Sequence, residues 1–178
     1  VEGFEQTKER NSTKSRTKKK SSTQSEEGLI ALEIALSLIG SGEDRANNEG
    51  AFIDQIFRRE NASANWCAAF VSYCIEEAYK KTGVEMPFER SGGAKKLFKR
   101  IGKSGSFVER PIVGDIVVWD RGKPGSWQGH IGIVSSVSES DFVSVEGNVG
   151  SYSKTRGAVR NIKHNFNEKK LEGFARLP

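Results

Sequence analysis

Asn65-Trp66-Cys67-Ala68-Ala69-Phe70-Val71-Ser72-Tyr73-Cys74-Ile75 is the stretch on which the reading of the fold turns. From Phe70 onward the apolar residues Phe70, Val71, Cys74, Ile75 and Ala78 recur at intervals of three and four, the spacing of a helix with one buried stripe. Ser72, Glu76, Glu77, Lys80 and Lys81 fall on the other side. Asn65 is the expected N-cap, and Gly83 the expected C′ stop. Cys67 then lies in the first turn, at the inner edge of the stripe. Unpaired amide N–H groups and the positive end of the helix dipole meet there and favour a thiolate. A lone cysteine more often packs as a small buried hydrophobe, so a catalytic reading needs partners elsewhere in the chain.

Upstream, Phe52, Ile53, Ile56 and Phe57 suggest a short helix, and residues 40–48 a polar loop. Ser25 followed by Glu26 and Glu27 is a helix start. Leu29, Leu32, Ile34, Ala35, Leu36, Leu38 and Ile39 continue it to Gly40, apolar nearly all round. Residues 1–25 are polar, with Lys8, Arg10, Lys14, Arg16, Lys18, Lys19 and Lys20 against Glu9 between Gln6 and Ser25. They are expected to be a disordered basic tail or linker, solvated or holding anionic polymer, leaving 26–178 as one folded domain.

Downstream, a short helix is expected over 94–101, with Gly102 as its stop. The period then changes. Residues 106–108, 115–119, 130–134, 141–146, 158–162 and 173–177 are β-branched and aromatic runs separated by Gly, Pro, Ser and Asp at hairpin-like intervals. Helices first and strands afterwards give an α+β domain, N-terminal helices packed on a roughly six-stranded, meandering antiparallel sheet.

With 178 residues, 35% of them hydrophobic, the chain suits one domain with a sizeable core. A net charge of +5 fits an anionic surface or polymer, but without a motif no nucleic-acid partner is expected. Residues 29–39 are about half the length of a membrane crossing, so no span is expected. No secretory h-region is seen, and a first residue of Val suggests a processed chain or a piece of a larger one. Cys67 and Cys74, two helical turns apart, would have Cα atoms roughly 10 Å distant, beyond the ~7 Å a disulfide tolerates. Compartment is therefore undecided.

His130 follows Gly129 and opens the apolar run Ile131-Gly132-Ile133-Val134. A thiol at a helix start and an imidazole at a strand start, in that order, are the pair a cysteine hydrolase requires. A third group must orient the imidazole. Glu146 and Asn148 at the end of the next strand fall on one face, and either could accept from His130 Nδ1–H. His164, amid Lys163, Asn165 and Asn167, is expected to decorate the surface. A zinc site from Cys67, Cys74, His130 and His164 fails on spacing, and residues 91–96 lack the spacing of a phosphate loop. Trp66, Trp119 and Trp127 are candidate substrate contacts, Trp119 the more core-like and Trp127 the more exposed.

Taken together, Asn65-Trp66-Cys67-Ala68-Ala69-Phe70-Val71, Gly114-Asp115-Ile116-Val117-Val118-Trp119, Gly129-His130-Ile131-Gly132-Ile133-Val134 and Glu146-Gly147-Asn148 resemble the CHAP family of cysteine- and histidine-dependent amidohydrolases and peptidases. The resemblance spans about residues 29–178. It implies a papain-like fold that cleaves amide bonds of bacterial cell-wall peptidoglycan without metal or cofactor, most simply as a monomer. It also implies Cys67 as nucleophile and His130 as base, with Glu146 and Asn148 completing the site. Many wall lysins of the family carry Gln directly before the Cys, where this chain has Trp66; the Cys67 N–H is then one oxyanion donor and the second stays open. Two other readings remain. One is a thiol hydrolase or acyl transferase acting on a different amide, the other a non-catalytic module that binds wall polymer. The expected place of action is the periplasm or wall, reached by phage or by a secretion system.

Overall fold

The computed structural model describes residues 23–178 except 61, 63, 152 and 153; most of the basic stretch 1–25 lies outside the described residues. Those that are described form α1 (Glu26–Ser37), α2 (Ala51–Phe57), α3 (Cys67–Thr82) and α4 (Ala94–Ser104), followed by β1 (Ser106–Val108), β2 (Ile116–Asp120), β3 (Gly129–Val137), β4 (Asp141–Ser151), β5 (Thr155–Asn165) and β6 (Leu171–Arg176). This is the expected α+β order.

Ser25 caps α1, its Oγ accepting from the Gly28 N–H at 3.3 Å, and Glu26 and Glu27 sit at the positive end of the dipole. Only one face of this helix is covered, by way of Gly28, Ala31, Leu32 and Ala35. Leu36 and Ile39 are exposed, so the apolar circumference read from the sequence does not mean all-round burial.

α3 is the central helix and packs against α1, α2, β3 and β4. It starts at Cys67, with Trp66 in the cap position and no side-chain cap bond. Asn65 is therefore not the cap; it lies one residue too early. The helix ends at Gly83, whose φ of 72° is the left-handed conformation a C-terminal glycine supplies. Ser72, read as outward, is buried and donates from Oγ to the Ser91 carbonyl at 3.0 Å. α4 runs past Gly102 to Ser104. Gly102 is a seat for the β1 ring of Phe107 and not a stop, because a Cβ there would come within 2.2 Å of two ring carbons.

The sheet is antiparallel in the order β1-β6-β2-β3-β4-β5. β2 to β5 follow one another as hairpins, but β6 returns to insert between β1 and β2, so the sheet is not a simple meander. A buried bidentate pair holds this insertion: Arg176 donates from Nε and an Nη to Asp115, both at 2.8 Å. One face of the sheet, with Ile116, Val118, Ile131, Ile133, Val145 and Ala175, joins the core under the helices. The other carries a second cluster of Val117, Trp119, Val134, Phe142 and Phe174. Among the described residues no helix is long and apolar enough to cross a membrane.

Candidate active site

Cys67 opens α3 and is buried apart from a small window. The residue before it fixes where that helix begins. Trp66 is wholly buried, its ring edge-on to Phe52 at 5.8 Å, and its Nε1–H donates to Glu43 Oε1 at 3.4 Å. Glu43 is itself buried and accepts from the Asn48 and Gly157 N–H groups, each at 2.8 Å. Trp66 thus anchors the helix start from beneath and is not placed to touch a substrate, contrary to the sequence reading.

His130 sits at the start of β3, opposite Trp119 of β2, with the two rings 5.7 Å apart. Its Nε2 lies 2.7 Å from Glu146 Oε2. That reverses the nitrogen assignment expected from the sequence and leaves Nδ1 for the thiol. Burial opposes charge on His130, but hydrogen bonding to Cys67 and then to Glu146 outweighs it and lifts the pKa to about 9.

Glu146 is 3% exposed. It stands opposite Gly132 in the β3–β4 pairing, and a Cβ on Gly132 would come within 2.7 Å of its Cγ. The missing side chain is what admits the carboxylate. Oε1 accepts from Ser144 Oγ at 2.6 Å and lies 2.6 Å from His164 Nε2. Burial alone would raise the Glu146 pKa; the bonds to His130, His164 and Ser144 bring it instead to about 2.

Asn148 follows a break in the β4–β5 register, in the left-handed region at φ 60°. Its Nδ2 donates to Asn65 Oδ1 at 3.4 Å, so it meets the strand of helix-leading residues and not His130. Between the two, Gly147 lets the β4 backbone press on the first turn of α3: a Cβ there would lie 2.8 Å from both Phe70 Cβ and Trp66 Cζ3. Cys67, His130, Asn65 and Asn148 share a cleft of about 350 Å³ with Gln128 and Trp127. Trp127 is 78% exposed and lies on this cleft as expected. Trp119 is buried, and its Nε1–H donates to Glu168 Oε2 at 3.0 Å, so it forms part of the site's floor and not a substrate contact.

His164 does not decorate the surface. Its ring stacks on Phe142 at 5.3 Å and lies tilted against Trp119 at 4.5 Å, with Nε2 on Glu146 and Nδ1 2.9 Å from Glu168 Oε1. Burial works against its charge, but the bond to Glu146 outweighs it and raises its pKa. The polar neighbours hid it. The signal was the alternation of Ile162, His164 and Phe166, which puts the ring on the inward parity of β5.

The arrangement offers a thiol at a helix N-terminus, an imidazole that can take its proton, and a carboxylate fixing that imidazole from behind, all beside an open cleft. Cys74, on the same helix, is buried, and burial pushes its thiol pKa up.

A family model described as CHAP domain matches residues 59–148, a span that takes in Cys67, His130, Glu146 and Asn148. No curated protein matches the chain. Among solved structures it is similar to that of Ly7917, at 17% identity and a TM-score of 0.53, covering 85% of this chain and 62% of that one. It is similar also to a Staphylococcus aureus protein described as similar to a lipoprotein of the NLP/P60 family, at 13% identity and TM-score 0.45, covering 90% and 44%. A third is the wild-type endolysin LysIME-EF1, at 19% identity and TM-score 0.38, covering 83% and 62%. The chain therefore spans less than two thirds of each of these proteins. The first likeness is one of fold.

Proposed function

The chain belongs to the CHAP domain family, and we propose that it hydrolyses an amide bond of bacterial peptidoglycan through a thioester on Cys67. The observation that carries this reading is the row Cys67, His130, Glu146, with His130 Nε2 held 2.7 Å from a buried carboxylate and its other nitrogen left for the thiol. In the forward step His130 Nδ1 takes the Cys67 proton and Sγ attacks the amide carbonyl carbon. The oxyanion forms near the Cys67 N–H at the start of α3. Collapse breaks the C–N bond, and the amine leaves with the proton from His130 Nδ1. Water then gives a proton to the same nitrogen and attacks the thioester, freeing the acid and restoring Cys67. Throughout, Glu146 accepts from Nε2–H and stabilises the imidazolium.

Two bonds fit this chemistry, the N-acetylmuramoyl-L-alanine amide and a peptide bond of the stem or cross-bridge. Mass analysis of fragments released from purified peptidoglycan distinguishes them, since a new N-terminal alanine marks an amidase and freed stem or bridge termini an endopeptidase. Cys67→Ala is expected to keep the fold and lose release by at least about 10³-fold. Undiminished release by that variant would end the reading.

A further inference from the structure

The strongest feature outside the cysteine–histidine pair is the second histidine. His164 Nε2 lies 2.6 Å from Glu146 Oε1, and His164 Nδ1 lies 2.9 Å from Glu168 Oε1. Both ring nitrogens therefore face carboxylates. A neutral imidazole has one N–H, so one carboxylate would meet a lone pair at hydrogen-bond distance in a largely buried site, a costly arrangement. Only the imidazolium donates to both.

We propose that His164 is a doubly protonated positioning residue that holds Glu146 ionised and aimed at His130. The groups facing it are Glu146, Ser144 and Phe142 from β4, Trp119 from β2, and Glu168 beyond the end of β5. Its strand neighbour Lys163 is turned away and pairs with Asp141. The charges alternate in a row: Glu168, His164, Glu146, His130, then the Cys67 thiol. Trp119 closes the outer end by donating to the second oxygen of Glu168 at 3.0 Å, and the rings of Trp119 and Phe142 both pack against the imidazole.

Two consequences follow from the row. Glu146 has its Oε1 saturated by Ser144 and His164, so Oε2 alone addresses His130 and the carboxylate cannot swing. The His164 charge also offsets part of the pull of Glu146 on His130, keeping His130 acidic enough to return its proton to a departing amine. The second consequence rests on the hydrolase reading; the charge state of His164 does not.

The sequence holds only two histidines, His130 and His164, so side-chain nitrogen NMR of the full chain has two rings to follow. At pH 7.5 His164 is expected to carry both ring N–H groups and to lose the second above the ordinary histidine range. In His164→Gln, which keeps a donor for Glu146 but no charge, His130 is expected to titrate about one pH unit higher than in the wild type. A neutral, single-tautomer His164 at pH 7.5, or a His130 titration unmoved by the substitution, overturns the proposal. Should His164→Gln not fold, the wild-type ring decides alone. Iodoacetamide separates the two possible failures. Rapid alkylation of Cys67 beside a neutral His164 sinks this proposal and spares the hydrolase reading, whereas an inert Cys67 beside a doubly protonated His164 does the reverse.

Discussion

Gly132 has no side chain, and that absence sets where Glu146 lies. The two residues are cross-strand partners, and an added methyl would stand 2.7 Å from Glu146 Cγ and 3.1 Å from the Val145 carbonyl. Glu146 cannot yield easily, since both of its oxygens are held. Gly132→Ala is therefore expected to displace the carboxylate and lower kcat by about 10- to 100-fold with the fold retained. Turnover on peptidoglycan, with circular dichroism as the control, checks this; wild-type turnover would mean that the carboxylate's placement does not limit the rate. The same geometry ranks the two residues that the sequence left level. Glu146 touches His130, while Asn148 bonds Asn65 at the cleft rim. Glu146→Ala is expected to cost more rate than Asn148→Ala, and the opposite order in kcat would reassign the orienting role.

At the scale of elements, the start of α3 hangs on one loop carboxylate. Glu43 accepts from Asn48, Gly157 and Trp66, tying the segment before α2, strand β5 and the residue before Cys67 to a single buried group. Glu43→Ala leaves three donors without that acceptor and is expected to cost about 2–4 kcal/mol, a fall in Tm of roughly 5–15 °C. Glu43→Gln, which keeps one acceptor oxygen, should lose less; thermal unfolding of both variants is the check. Elements of this kind divide what could be read in the chain from what could not. α3, its terminal Gly83 and the strand runs were legible because periods of 3.6 and 2 follow directly from burial on one face. Cys67 and His130 stood out because each sits where a period begins. The place of β6 between β1 and β2 was not legible, because strand order is decided by non-local pairs such as Asp115 with Arg176, 61 residues apart. Trp66 was misjudged for a related reason. An aromatic beside a reactive residue can support it from beneath or line the cleft above it, and only packing partners tell which.

The whole molecule binds these local charges to its stability. His130 has its pKa raised from 6.5 to about 9, and Glu146 has its own lowered from 4.5 to about 2. For His130 the folded chain holds more protons than the unfolded one between those values, so its contribution is complete below about 6.5 and is lost as pH rises through about 9. His164 is raised in the same direction and adds to that loss. For Glu146 the unfolded chain holds more protons, so its contribution is complete above about 4.5 and is lost as pH falls toward about 2. The two windows overlap between about pH 4.5 and 6.5, where Tm is expected to be highest, declining on either side. Since other groups also titrate, among them the paired Asp54 and Asp141 on the acid side, the decisive comparison is between variants. His130→Asn should flatten the decline between about pH 6.5 and 9 and also weaken the acid limb, because its bond to Glu146 is the first of those that hold that carboxyl low, with His164 and Ser144 retaining the rest. Glu146→Gln should reduce both limbs, because its charge underlies the raised pKa of each histidine as well as its own depressed one. Calorimetric scans of the three proteins from pH 3 to 10, with buffers matched in ionic strength, would reveal the pattern. An alkaline limb equally steep in all three would show that the charge row is not coupled to folding.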